Sequence, residues 1–301
     1  MHEYSRLKPG AGFRPLAATF YYAQRAVTHR LARRFVARTI ATGINLRHPI
    51  ERDEASLSPA LDGLRDDGCV RLADRISVAE IAGLRAYLED KDVVARDGRR
   101  FAAERPPPDV SMAAYPLATV LGHAPLLDWI NRPDLLAFIA SYLGCKPTIS
   151  SIGIRWSFPC RRDGADVQRF HRDPDDWRFL KFFVYLTDVD DMSGPHAFVR
   201  GTHRTSGRLR AQGYAAAEIE RDYGKDRMET ITGPRGTSFV ADTYGIHRGT
   251  PPQLRSRLIL QVQYSLLPIY AFVYRPQAPA AGLRGLDRYV NRLLLADARP
   301  L

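Results

Sequence analysis

Phe170-His171-Arg172-Asp173 sets an imidazole and a carboxylate two residues apart. On an extended backbone that spacing turns both side chains to one side, where they can converge on a single ion. Two ligands leave a metal short. His247, at the end of Asp242-Thr243-Tyr244-Gly245-Ile246-His247, offers the third. Two histidines and one carboxylate on one face of an octahedral ion leave three positions open, the arrangement with which non-haem Fe(II) takes a chelating co-substrate and oxygen. His-x-Asp alone is common by chance. Arg257, ten residues after His247 and opening an apolar run, sharpens it. A guanidinium there can hold a remote carboxylate while the other end of the same molecule chelates the metal, which is what 2-oxoglutarate requires.

Further polar residues fall near this set. Thr250 follows His247 and is a candidate for a 2-oxoglutarate carboxylate, against an ordinary turn role. Lys181 and Tyr185 share a strand face by period two and are candidates for co-substrate and substrate, against a snorkelling lysine. Arg155 alternates with apolar strand positions and is a candidate for a substrate carboxylate or phosphate. Trp156 and Trp177 read as core, His203 reads as a turn histidine, and His196 has no assigned role.

Three stretches carry a resemblance: FHRDPDDWRFLKFFVYLTDVD (170–190), SGPHAFVRGTHR (193–204) and HRGTPPQLRSRLILQVQYS (247–265). Over roughly residues 60–270 the chain resembles the phytanoyl-CoA dioxygenase-like family of Fe(II)/2-oxoglutarate oxygenases. The resemblance implies a double-stranded β-helix, Fe(II), and 2-oxoglutarate and O2 as co-substrates, with succinate and CO2 as co-products. By position it implies His171, Asp173 and His247 as iron ligands and Arg257 as the 2-oxoglutarate clamp. The family's spacing to this arginine is often one residue longer, which leaves Arg255 a rival. Related halogenases put a small residue where Asp173 stands, so this carboxylate favours hydroxylation.

The elements that must position these groups follow from periodicity. Ile149 to Phe158, Leu180–Asp188, Thr237–Ala241 and Arg257–Leu266 are β-prone runs, giving a β-rich core over about 146–270. Ahead of it, Ser58, the capping pair Ser77 and Glu80, and Pro125 to Leu143 mark helices. Helices followed by strands predict an α+β fold, and the resemblance implies that its β-rich part is a jelly-roll, cupin-like core with N-terminal helices around it. The proline-rich stretch 97–116 reads as an irregular loop and a candidate lid. Pro15 to about Thr42 reads as one helix with Phe20, Val27, Leu31 and Phe35 on a stripe. Leu286 to Leu295 reads as a basic helix. The division expected is a basic arm over 1–50, a catalytic domain over 51–270 and a basic tail over 271–301.

The charge sits in those arms. Of the net +11, residues 1–50 hold nine Lys/Arg against one Glu, and residues 271–301 five Arg against two Asp, leaving the body near neutral. Basic arms with aromatics suit an anionic membrane surface or an anionic substrate, and their confinement to the termini speaks against a nucleic-acid groove. Three scattered cysteines make neither a disulfide framework nor a zinc site. No apolar run of membrane-spanning length and no secretory leader is visible, so the expected location is cytoplasmic, with peripheral membrane contact. The sharpest expectation for a substrate is a lipid-linked anionic sugar such as the Kdo of a lipopolysaccharide precursor. Two rival readings keep the core: a Zn or Mn isomerase or hydrolase on the same triad, and a non-catalytic membrane-docking module.

Overall fold

The structure, a computed structural model, describes residues 3–10, 12–50, 58–72, 76–160, 169–207, 209–210, 213–278, 283 and 285–296. β1 (Glu3–Tyr4) leads into α1 (Pro15–Ala26) and α2 (Arg30–Arg47), then α3 (Ser58–Asp67), β2 (Cys69–Leu72) and α4 (Val78–Leu88). β3 (Asp92–Ala95), β4 (Arg100–Ala102) and β5 (Met112–Ala114) precede α5 (Leu117–Leu121), α6 (Ala124–Ile130) and α7 (Pro133–Leu143). The remainder is mostly strand: β6 (Thr148–Ser157), β7 (Phe179–Tyr185), β8 (His196–Val199), α8 (Ala216–Tyr223), β9 (Met228–Ile231), β10 (Ser238–Ala241), β11 (His247–Gly249), β12 (Arg257–Ser265), β13 (Phe272–Val273) and α9 (Arg288–Asn291).

Local chemistry sets the helix ends. The Ser77 hydroxyl accepts the Glu80 N–H at 3.2 Å while the Glu80 carboxylate accepts the Ser77 N–H at 2.7 Å, a reciprocal cap that starts α4. Pro133 opens α7, and Gly144, at φ 82°, closes it in the left-handed conformation a side chain disfavours.

The strands form an antiparallel double-stranded β-helix. A large sheet runs in the order β2-β10-β7-β12-β6-β5-β3-β4 and a small one in the order β11-β8-β9. In the large sheet Leu258, Leu260 and Val262 of β12 lie beside Trp156, Ile154 and Ile152 of β6. That face packs against Ile81, Leu84, Leu126 and Phe138 of the helices in one core. The alternate positions turn toward the small sheet. Phe183, Tyr185, Phe239 and Ile259 meet Phe198 and Ile231 in a second core that closes one end of the space between sheets. β7 is buried along its whole length, which is why it reads as an apolar run interrupted only by Lys181 rather than an alternating one.

Several expectations change. The single helix over 15–42 is two, broken where Val27 takes an extended conformation. The apolar stripe faces out, with Leu31 64% and Phe35 72% exposed, while Ala37, Ala41 and Arg33 face in. Small side chains let the α2 backbone come close, and the buried Arg33 has its N–H groups satisfied by carbonyls, donating to Gln24 O at 2.7 Å and Asp176 O at 2.6 Å. α2 thus shares the body's core. The loop over 97–116 contains two strands: β4 turns back on β3, and β5 adds to the edge of β6, with Met112 opposite Ser157. Prolines 106–108 interrupt only the stretch between them. The C-terminal helix is confined to Arg288–Asn291, because the chain turns to give Leu294 O to Gln277 N–H and to bury Leu294 and Leu295. β8, β9 and β11 were not expected; each is four residues or fewer.

Candidate active site

His171 and His247 meet across an isolated antiparallel bridge, exchanging N–H···O bonds of 2.9 and 3.0 Å. Asp173 is fixed beside them by its N–H donating to Thr243 O at 2.9 Å. Each imidazole has Nδ1 3.0 Å from a carbonyl, Arg169 O for His171 and Gly245 O for His247. A proton on Nδ1 satisfies each carbonyl and leaves both Nε2 lone pairs facing Asp173, at 3.5 and 3.3 Å from its oxygens. One donor atom from each residue lies within 4.8 Å of the others. Two imidazoles held in the ligating tautomer and one carboxylate fit a first-row divalent metal such as iron. The His247 ring is enclosed while that of His171 is 39% exposed, so the open positions face out past His171.

Lys181 of β7 reaches the same carboxylate at 2.6 Å and Asp175 at 3.2 Å. Burial would raise the Asp173 carboxyl, but the Lys181 ammonium outweighs it and holds the group well below the usual carboxylate range. Burial would likewise lower the Lys181 ammonium, and the two carboxylates outweigh it and raise it. One Asp173 oxygen is thereby held by the lysine, which leaves the other for a metal.

The triad opens into a cavity of about 160 Å³ that Arg155, Lys181, His196, Thr250 and Arg257 also line. Arg257 is 4% exposed, and burial pushes its guanidinium down to about 10. Its Nη2 donates to Ser157 Oγ at 3.2 Å, whereas Nε and Nη1 have no partner. Gly249 makes room for it, since a Cβ there would lie 3.1 Å from Nη2. Arg155 donates to Gln261 Oε1 at 3.0 Å and keeps its buried Nε unpartnered.

The structure brings His171, Asp173, His247, Lys181, Arg155, Thr250 and Arg257 to one cavity. It does not bring Tyr185, which is fully buried in the second core. Its hydroxyl donates to Ile231 O at 2.7 Å and accepts the His196 N–H at 3.0 Å, so it ties strands together and offers no surface to a substrate. Arg255 lies at the surface in an ion pair with Asp190, outside the cavity. Trp156 bonds Tyr115, Trp177 packs beside Arg33, and both lie against the large core. His203 accepts from or donates to nothing near the triad; its Nε2 lies 3.1 Å from Arg65 O. His196 belongs to the cavity although no role was assigned to it. It is buried, its ring is 5.5 Å from that of His247, and its Nε2 has no partner. Burial and the surrounding cations keep it neutral. Only the pairing of β8 with β11 turns it inward. Ser157 and Gln261 were also missed, although period two from Arg155 and Arg257 already put them on this face.

No protein-family model matches this chain, and no curated protein matches it. Solved structures share its fold. The epimerase SnoN from nogalamycin biosynthesis, in complex with Fe3+, alpha ketoglutarate and nogalamycin RO, is similar at 20% identity over 82% of this chain and 99% of that one, with a TM-score of 0.53. HygX from Streptomyces hygroscopicus, with nickel, 2-oxoglutarate and hygromycin B bound, is similar at 18% identity over 78% and 96%, with a TM-score of 0.53. EctD from S. alaskensis, with 2-oxoglutarate and 5-hydroxyectoine, is similar at 18% identity over 83% and 86%, with a TM-score of 0.50. What this chain has in common with them is the β-helix scaffold.

Proposed function

We propose that this protein is an Fe(II)- and 2-oxoglutarate-dependent oxygenase of the phytanoyl-CoA dioxygenase-like type, hydroxylating an unactivated C–H bond of an anionic small molecule. The observation that carries the reading is Arg257, buried in the triad's own cavity with two nitrogens, Nε and Nη1, unpartnered and, among the described residues, no carboxylate in an ion pair with it. A buried cation without a counterion asks for an anionic ligand. A Zn or Mn isomerase or hydrolase on the same triad needs no 2-oxoglutarate clamp.

Iron held by His171, Asp173 and His247 would supply the redox chemistry with O2 that splits 2-oxoglutarate to succinate and CO2 and oxidises the substrate. The chain's own groups do the rest. The carbonyls of Arg169 and Gly245 keep both imidazoles in the ligating tautomer. Lys181 pins the second Asp173 oxygen and so fixes the carboxylate's rotation. Arg257, with Ser157 and Thr250 beside it, receives the remote carboxylate of 2-oxoglutarate and sets which end faces the metal. Arg155, on the same strand as Ser157, adds positive potential for an anionic substrate, and a sugar acid such as Kdo is one molecule of that class. Asp173 occupies the position a halide would need, which favours hydroxylation.

An anaerobic titration with Fe(II) and then 2-oxoglutarate tests the class through the metal-to-ligand charge-transfer band. The expected result is a band in the natural chain that His171→Ala abolishes and Arg257→Ala weakens. A folded protein with no band overturns the reading and favours the Zn or Mn enzyme.

A further inference from the structure

The segment that ends in His247 borders a second cavity at its other end, where Asp242 and Tyr244 contribute to the lining. This space is about 470 Å³, larger than the triad's cavity, and shares no lining residue with it. Arg30, Arg34 and Arg38 of α2 stand along it at four-residue spacing, and Arg178 and Arg204 face them from the body. Helical residues four apart are neighbours, so the three α2 guanidiniums share one flank, and like charges so placed weaken a helix rather than support it.

Among the described residues, most of them lack an ion-pair partner. Among the described residues Arg204 is paired with Asp66 at 2.9 Å, and no carboxylate lies within ion-pair distance of Arg30, Arg34, Arg38 or Arg178. Of the acids lining the space, Asp242 is taken up by the Tyr142 hydroxyl at 2.6 Å. Tyr244, only 7% exposed, has a hydroxyl with no hydrogen-bond partner, and the guanidinium carbons of Arg33 and Arg172 lie 4.1 and 5.5 Å from its ring centre. Burial and the neighbouring Arg38, Arg30 and Arg178 all push the Arg34 guanidinium down, as expected where like charges face each other.

We propose that this cleft between α2 and the β-helix is a second ligand site, which binds the phosphate or diphosphate group of a phosphorylated molecule. Several guanidiniums from separate elements converge on a space of ligand size, and planar N–H forks match phosphate oxygens two at a time. A single carboxylate has too few oxygens to engage them. The site is independent of the iron chemistry, and its failure leaves that reading untouched. The phosphate could come from a soluble ester or from a lipid headgroup, since Leu31 and Phe35 lie exposed on the same helix.

The test is calorimetric titration of the full chain with inorganic pyrophosphate. The expected result is saturable binding that Arg34→Gln/Arg38→Gln weakens by about tenfold or more, while Arg85→Gln/Arg96→Gln, which removes the same charge elsewhere, leaves it unchanged. Both pairs are exposed, so neither disturbs the core. A parallel arm sediments the protein with phosphatidic acid vesicles. Vesicle binding that pyrophosphate displaces assigns the phosphate to a headgroup, and pyrophosphate binding without vesicle binding assigns it to a soluble ester. No saturable pyrophosphate binding, or equal loss in both variant pairs, overturns the proposal.

Discussion

A guanidinium removed from water without a counterion is among the most costly things a core can hold, and among the described residues no carboxylate pairs with Arg257, which lies beside three side chains that could hold a metal ion. Truncating it deletes charge-assisted hydrogen bonds of about 1.5–3 kcal/mol to any carboxylate bound there. Arg257→Ala is therefore expected to weaken 2-oxoglutarate by roughly 30-fold in the anaerobic titration. Arg255→Gln should leave that affinity unchanged, because Arg255 spends its charge on Asp190 at the surface. The triad makes a second expectation. Saturating Ni2+, a redox-silent stand-in, stabilises the fold by mass action, about 2.7 kcal/mol at a hundred times its Kd. Thermal melts should show that increment in the natural chain and its absence in Asp173→Ala. These residues were legible in the sequence because ligand type, order and two-residue spacing are local properties. His196 was not, because a lone histidine says nothing of its direction until β8 is paired.

Among the elements, Asp176 is the joint between the N-terminal helices and the β-helix. Its carboxylate accepts N–H groups from Leu266 and Leu267 at 2.8 Å and from Trp177 at 2.7 Å, while its own carbonyl accepts from Arg33 of α2 at 2.6 Å. Asp176→Ala strands those donors in a dry interior and should cost about 3 kcal/mol, read as a drop of several degrees in Tm. The same scale narrows the irregular stretch. With β4 and β5 tied into the sheet, only about 103–111 is outside the ladder, and Ser111 and Met112 already line the triad's cavity. Strands dense in branched and aromatic residues were readable from composition. β8, β9 and β11 were too short to carry a period, and the break after α1 has no proline or glycine to mark it.

At the scale of the whole molecule, the basic arms are part of the body. Ala37 and Ala41 of α2 and Val290 and Leu294 of the tail lie in the same core as the large sheet. Deleting residues 1–47 should therefore abolish cooperative unfolding rather than trim a detachable anchor, as circular dichroism melts would show. The outward row of Leu31 and Phe35 remains available for the membrane contact expected of these arms. Leu31→Ser/Phe35→Ser should reduce sedimentation with phosphatidylglycerol vesicles while leaving Tm within about 1 °C, since exposed positions contribute little to stability. Equal sedimentation would remove the membrane from the picture. No helix among the described residues is long and apolar enough to cross one.

The sequence by itself determined the chemistry available to this chain. An imidazole, a carboxylate, a distal imidazole and a downstream guanidinium, in that order on β-prone segments, are the groups that the proposed metal and acid-bearing co-substrate would need. It also determined where regular strands and capped helices begin, since those depend on neighbours a few residues away. Only the tertiary structure decided that Tyr185 is enclosed, that Arg255 is spent at the surface, that His196 turns inward, and that the basic face of α2 closes on Arg178 and Arg204 to make a second cavity. Each of these depends on which strand or helix lies opposite, over separations of tens to more than a hundred residues. No period along the chain records that.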